Sequence, residues 1–383
     1  MGKKVVDRRR RRAWKSVVGI LFSVACLWWA LRGMLKEPGA FEQILGAFRN
    51  ADYRSLPAVL VILCLFYWLK AVRWSLLLSP VGRFWPIKDL LGPIMIGFAF
   101  NNILPARIGE VIRISVFAKR HQQSMAMATS TVVLERVFDG MAIVFYLAIG
   151  LLFVEGLDPR IRQGALGFAV VACCIVAGAL AYVIWTQPFI RLFESVMKKL
   201  PLIPHRITDK ICGILERGAI GLASLKDPRL VILIVLISMI KWALNGALVL
   251  LSLWSFGLPH YVPIAMVLLG AIAFGIALPS SPGYIGVMQA IFIEVMKFFT
   301  SDQEGVFAAS IYFQFSQWVP VTTVGLLCFF FSGVTLKQVE QTAPDLSLEN
   351  LDPVGPNSVA PKPVTPMSGE EKAEPTNSTH PTA

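Results

Sequence analysis

Six runs of about 20 or more mostly apolar residues, at 14–35, 57–78, 125–154, 164–186, 229–256 and 305–334, occupy much of this 383-residue chain. A bilayer's hydrocarbon core is about 30 Å thick, and a helix rising 1.5 Å per residue crosses it in about 20 residues. Every backbone N–H and C=O inside hydrocarbon must be paired within the protein, which for runs of this length means α-helix. The chain therefore reads as an all-α polytopic integral membrane protein. Its composition agrees: 16% of residues are charged, 55% are hydrophobic and the mean hydropathy is +0.63, whereas soluble domains carry about 25% charged residues. Most soluble enzyme folds are excluded on that ground.

Between these runs lie shorter apolar legs. Residues 89–104 and 106–120 meet at Pro105, and residues 262–278 and 283–299 meet at Pro279 to Pro282. Short apolar segments interrupted by Pro and Gly, in corresponding places of two halves, point to a transporter-type site. The correspondence is legible: Ala99-Phe100, Leu104-Pro105 and Gly109 recur 174 positions later as Ala273-Phe274, Leu278-Pro279 and Gly283. The helix before each copy carries one intramembrane lysine, Lys70 and Lys241. The expectation is six full spans plus two Pro-broken, re-entrant hairpins, 89–120 and 262–299, in an inverted repeat. The alternative is hairpins that span fully; the charges of the 106–120 leg, Arg107, Glu110 and Arg113, argue against a lipid-facing crossing.

Basic residues set the orientation. Residues 1–15, 79–88, 107–120 and 187–229 together hold 22 Lys and Arg, whereas 36–56, 155–163 and 300–304 hold 5. Positive charge collects in the cytoplasm, so both termini are expected inside. The +12 net charge is thus first a statement of topology, and a nucleic-acid partner is not implied. The chain divides into a basic N-terminus (1–15), a transmembrane domain (16–335) with a basic amphipathic cytoplasmic connector (187–228), and a Pro-, Ser- and Glu-rich tail (336–383) expected to be disordered. The apolar run after Arg8 to Arg12 reads as an uncleaved anchor. Six cysteines without C-x-x-C spacing and four scattered histidines offer neither a disulfide framework nor a metal site, so no metal and no cofactor is expected.

Three constellations carry chemistry. In the first, Pro105 breaks the helix and frees backbone groups that Asn101 and Asn102 can pair. Arg107, Glu110 and Arg113 then follow at three-residue intervals, two guanidiniums around one carboxylate, leaving the positive charge a phosphate site needs. A structural salt bridge is the competing account. In the second, Glu135 and Asp139 share a helix face with Arg136 beside it, and these acids are expected to pair with Arg107 or Arg113. In the third, Pro279, Ser280, Ser281, Pro282, Gly283 and Gly286 form a turn whose hydroxyls and free N–H groups suit an anion, or simply satisfy one another. Lys241, at mid-span, should face a polar cavity with Asn245 one turn away. Lys70 and Arg73 lie nearer a helix end and can snorkel, which ranks them lower. Gln314, Gln317 and Trp318 read as glue between helices. Pro105, Gly109, Pro279, Pro282 and Gly286 are the structural residues of the hairpins.

The ordered motifs N-N-I-L-P-A-R-I-G-E-V-I-R, E-R-V-F-D and L-P-S-S-P-G-Y-I-G resemble the lysylphosphatidylglycerol synthase transmembrane family, the flippase-like domain proteins, from about residue 14 to 335. The resemblance implies a bacterial or archaeal inner-membrane protein akin to the flippase half of the multiple peptide resistance factor. After residue 335 only the tail is expected, without room for an aminoacyl-transferase domain, so aminoacylation is not carried over. The expected function is a lipid translocase, not an enzyme. It would act on membrane lipids with an anionic or phosphate headgroup, with a lipid-synthesis enzyme as a possible partner. The alternative is an accessory subunit presenting a lipid-linked intermediate to a glycosyltransferase or lipid-modifying enzyme. No P-loop supplies ATP hydrolysis.

Overall fold

The computed structural model describes residues 21–32, 39–104, 108–155, 227–277 and 282–333, with isolated positions between 163 and 195. Among the described residues every regular element is helical. The helices are α1 (Leu21–Arg32), α2 (Ala40–Asn50), α3 (Leu56–Leu78), α4 (Gly92–Ile103), α5 (Ile108–His121), α6 (Met125–Phe153), α7 (Pro228–Ser255), α8 (Val262–Ala277), α9 (Val287–Met296) and α10 (Gln303–Phe331). Among the described residues four segments are long and apolar enough to cross a membrane: Tyr53–Leu78, Met127–Phe153, Pro228–Ser255 and Gln303–Phe331. Of the expected first span only α1 is described. The span at 164–186, the connector and the tail lie almost wholly outside the described residues.

Aspartates start three of the long segments. Asp52 accepts from Arg54 N at 2.9 Å, Asp227 from Arg229 N at 2.9 Å and Asp302 from Gly305 N at 2.7 Å, each satisfying a donor that the helix itself leaves unpaired. Pro57 and Pro228 sit in first turns, where a missing N–H removes no helix bond. Large apolar side chains such as Leu60, Val61, Val133, Ile232 and Phe330 are exposed, while the charges described below are buried, the reverse of a soluble domain.

The repeat is visible in the packing. One half runs α3, the α4–α5 hairpin and α6; the other runs α7, the α8–α9 hairpin and α10. The first leg of each hairpin packs along the closing helix of the other half, α4 on α10 and α8 on α6, while α3 packs on α7. A glycine stands at each exchanged crossing. A β-carbon on Gly150 of α6 would lie 2.8 Å from Met266 Cβ and 3.0 Å from the Pro263 carbonyl oxygen, and one on Gly325 of α10 would collide with the Met95 carbonyl oxygen. Gly150 and Gly325 are 175 positions apart, almost the spacing of the sequence motif.

The described part of the second hairpin's turn reaches the end of α4. Pro282–Tyr284 touches α4, and a β-carbon on Gly283 would stand 3.5 Å from the Asn102 carbonyl oxygen and 3.0 Å from Trp318 Nε1. The second tip turns through left-handed backbone at Gly283 (φ 69°), Tyr284 (φ 61°) and Gly286 (φ 89°). For Tyr284 that conformation is strained. Gly286 also has no room for a side chain, since a β-carbon would strike the Ser23 carbonyl oxygen of α1. Pro105 and Pro279 lie outside the described residues.

Two apolar cores are stacked along the bundle. One gathers Val59, Leu253, Leu268, Phe292 and Phe313 around the second hairpin; the other gathers Trp74, Leu78, Ile94, Phe117 and Phe138 around the first. Along α3, α6 and α7 the charged residues fall at the seam between them.

Candidate functional site

Among the described residues six ionisable side chains from four helices converge at this seam: Lys70 and Arg73 of α3, Arg113 of α5, Glu135 and Asp139 of α6, and Lys241 of α7. None is more than 5% exposed. Their spacings explain the convergence. Lys70 and Arg73 are one turn apart, as are Glu135 and Asp139, so each helix presents two charges on one face. Arg113 is brought in because α5 lies against α4 at two glycines. A β-carbon on Gly97 would stand 2.9 Å from the Gly109 carbonyl oxygen and 2.8 Å from Arg113 Cβ.

Each carboxylate is held by one guanidinium and one ammonium. Arg113 donates to both oxygens of Glu135, at 2.8 and 3.1 Å, and Lys70 lies 3.4 Å from the same carboxylate. Arg73 donates to both oxygens of Asp139, at 2.7 and 3.2 Å; Lys241 pairs with Asp139 as well, and Trp242 Nε1 donates to it at 2.9 Å. Arg73 also reaches Ser238 Oγ at 2.8 Å. Aromatic faces complete the enclosure, with the Arg113 guanidinium 3.8 Å over Trp74 and Lys241 5.4 Å from the Phe66 ring. Bidentate guanidinium–carboxylate pairs are the strongest of these contacts, and removing one partner of a buried pair destabilises by about 3–5 kcal/mol.

Beside the buried layer is a half-exposed pair. Arg136 and Glu110 bond to each other with 44% and 26% of their side chains exposed. Polarity alternates along the two helices: α5 offers Glu110 then Arg113, and α6 answers with Arg136 and Glu135.

The second half carries a neutral counterpart. Gln314 of α10 donates to the Gly283 carbonyl, Gln289 of α9 donates to Gln314 Oε1 at 2.7 Å, and Gly286 N donates to Gln289 Oε1 at 2.6 Å. Gln289 and Gln314 are 2% and 6% exposed. Asp139 and Gln314 are 175 positions apart, the same separation as the crossing glycines, so equivalent helix positions carry a carboxylate in one half and an amide in the other.

Several expectations from the sequence are met in part. Arg113 does pair with Glu135, and Lys241 does meet a polar partner. Glu110, however, turns to Arg136 on the neighbouring helix and not to Arg113 on its own, because α6 brings two opposite charges within reach. Lys70 and Arg73 do not snorkel; they are buried in the cluster, and their one-turn spacing on the face of Trp74 and Leu77 was the available signal. Asn102 donates to Thr322 Oγ1 of α10 at 2.9 Å, tying the hairpin to a neighbour in place of its own freed backbone, and Asn101 Oδ1 is buried without a partner. Asn245 is half-buried and takes no part in the hydrogen bonds of the cluster. In the turn expected either to meet an anion or to satisfy its own groups, the Gly286 N–H is occupied by Gln289. Arg107, Ser280 and Ser281 lie outside the described residues, as does the side chain of Pro282.

A groove of about 560 Å³ lined by Trp68, Trp85, Pro86, Ile87 and Lys88 occupies the other face of α3, where Trp68 is exposed while Lys70 and Arg73 are buried. It does not reach the charges. Among the described residues no group of three or more His, Cys, Asp or Glu side chains is placed to hold a metal ion.

Comparison with known proteins agrees with this architecture. The family described as the lysylphosphatidylglycerol synthase TM region matches residues 16–325. A UPF0104 membrane protein of Pyrococcus horikoshii is 23% identical over 336 residues, covering 81% of this chain and 94% of the relative. Another, from Methanocaldococcus jannaschii, is 24% identical over 232 residues, covering 60% and 92%. The glycosyltransferase AglD of Haloferax volcanii is 29% identical over 145 residues, which cover 37% of this chain and only 22% of that protein. No solved structure matches. This multi-pass membrane protein belongs to the lysylphosphatidylglycerol synthase transmembrane-region family.

Proposed function

We propose that the protein is a lipid translocase of the bacterial inner membrane, with both termini in the cytoplasm, that moves a phospholipid or lipid-linked phosphate headgroup between leaflets. The observation that carries it is the sealed cluster: four basic side chains around two carboxylates, inside a bundle whose outer surface is apolar. Intramembrane ionisable groups are expensive and mark pathways. Anionic headgroups are what a basic excess recognises. The hairpin legs support a re-entrant arrangement. Within the described residues α4, α5, α8 and α9 have 12, 14, 16 and 10 residues and rise about 15–24 Å, and the helical segment Pro86–Leu91 before α4 brings the first leg to about 27 Å, short of the roughly 30 Å core. Opening along the α5–α6 seam, where Glu110 and Arg136 are already half exposed, would bring the headgroup to Arg113 and Lys70 first and to Arg73 and Lys241 next, while its acyl chains stay in lipid. The chain performs no covalent chemistry in this scheme and needs no cofactor.

Reconstitution tests it. Vesicles containing the wild-type chain should equilibrate a headgroup-labelled phospholipid between leaflets at least tenfold faster than empty vesicles, and Arg113→Ala should remove most of that rate. Equal rates in all three would overturn the proposal.

The stretch shared with glycosyltransferase AglD favours a second role, in which the domain presents a lipid-linked intermediate to a membrane-associated transferase. That role requires a stable protein partner and no lipid movement by the purified chain. Mild solubilisation followed by mass spectrometry of co-purifying proteins separates the two.

A further inference from the structure

The buried charges do not balance. Counted at their formal charges, Lys70, Arg73, Arg113 and Lys241 are four cations placed against the two carboxylates Glu135 and Asp139. Nothing described nearby makes up the difference. The flanking helices α4 and α8 contain no ionisable side chain, and the adjoining Glu110 and Arg136 cancel each other. Donor capacity is left over as well: the Nε atoms of Arg73 and Arg113 are buried without partners, although the two residues are only 0% and 2% exposed. The surplus is evenly spread, since the Glu135 clamp and the Asp139 clamp, one turn apart on α6, each hold one cation more than their carboxylate neutralises.

We propose, resting on the translocase function above, that the cluster is the seat of a headgroup with two negative charges, a phosphomonoester or a diphosphate diester, in preference to a singly charged phosphodiester. A dianion brings the site to neutrality. Its oxygens accept from the guanidinium forks, and Lys70 and Lys241 act as point charges. A monoanion leaves one cation uncompensated in a site walled off from water, where an unpaired charge is least tolerated.

The experiment uses the full chain in phosphatidylcholine nanodiscs. Its probes are a phosphatidate (phosphomonoester), a phosphatidylglycerol (phosphodiester) with the same acyl chains, and inorganic phosphate. At pH 8 phosphatidate should bind at least tenfold more tightly than phosphatidylglycerol. At pH 5, below the second ionisation of a phosphomonoester near pH 6, the two should differ by less than about threefold. Lys241→Gln should reduce the pH 8 preference in the same way; if that variant does not fold, the pH comparison in the wild type decides. Inorganic phosphate should compete only at concentrations at least 100-fold higher than phosphatidate, and phosphate that competes as well as the lipid overturns the assignment to a lipid headgroup. Equal binding of the two lipids at pH 8 overturns the dianion preference. In that case, accelerated transbilayer movement of either lipid in vesicles leaves the translocase function standing, whereas movement of neither removes it.

Discussion

Arg113 of α5 and Glu135 of α6 are joined through both guanidinium nitrogens and both carboxylate oxygens, at 2.8 and 3.1 Å, with 3% and 1% of their side chains exposed. This pair fastens the first hairpin to a long helix. Arg113→Ala would strand Glu135 with Lys70 alone, 3.4 Å away, and is expected to destabilise by about 3–5 kcal/mol. Arg113→Met with Glu135→Leu and Lys70→Met, which removes all three charges and roughly keeps the volume, should recover much of that loss. Unfolding in detergent followed by tryptophan fluorescence checks this; a triple variant as unstable as the sum of its single changes contradicts it.

The exposed pair should behave differently. Glu110 and Arg136 are solvated enough that either single substitution by alanine should change stability by less than about 1 kcal/mol. If the pair guards entry to the buried layer, lipid movement in vesicles should change several-fold in the same variants, and the exchange Glu110→Arg with Arg136→Glu should bring it back toward wild type. Unchanged movement in both single variants would leave the pair with no gating role.

Two glycine substitutions test the exchanged packing. Gly325→Ala drives a methyl group into the Met95 carbonyl and to 2.5 Å from Ala99 Cβ, so a loss of about 1–3 kcal/mol is expected. Gly140→Ala, also in a long helix but with nothing within 4 Å of the added carbon, should be neutral or stabilise by up to about 1 kcal/mol through helix propensity. Equal effects at the two positions, read from unfolding midpoints, would contradict the close crossing.

The amide network predicts a local signature. Gln314→Leu removes the donor to the Gly283 carbonyl and the acceptor for Gln289, leaving buried polar groups unpaired at about 1–3 kcal/mol. Hydrogen exchange should accelerate at residues 283–289 and stay at wild-type rates in α3. Uniform acceleration over both segments would show that the network is not local.

Membrane sidedness is checked by single cysteines in a cysteine-free background. The exposed positions Val81 and Gln122, at the ends of α3 and α5, should label from the cytoplasm. The exposed positions His260 and Ser301, beyond α7 and before α10, should label from the opposite side. Labelling of all four from one side would overturn the topology.

Sequence alone determined the solvent and the all-helical class of the described bundle. Apolar runs of spanning length leave only helices in hydrocarbon, and proline and glycine mark where the two hairpins break. The repeated A-F-x3-L-P-x3-G motif announced the two halves, and the spacing of Glu135 and Asp139 announced a charged face. Partner choice was not legible, because helical spacing states which residues share a face but not which helix lies opposite. Glu110 illustrates it: Arg113 is its natural partner along α5, and only the approach of α6 hands it to Arg136. Lys70 and Arg73 illustrate the other gap. Near a helix end both charges can reach the interface at low cost, and sequence distance favours that outcome. Only the tertiary structure, by packing α3 against α6 and α7, encloses them beside carboxylates where pairing replaces water. The sequence thus settled that charge must lie within the bundle on α5, α6 and α7, and the packing decided that α3 adds Lys70 and Arg73 and that two carboxylates are shared among four cations.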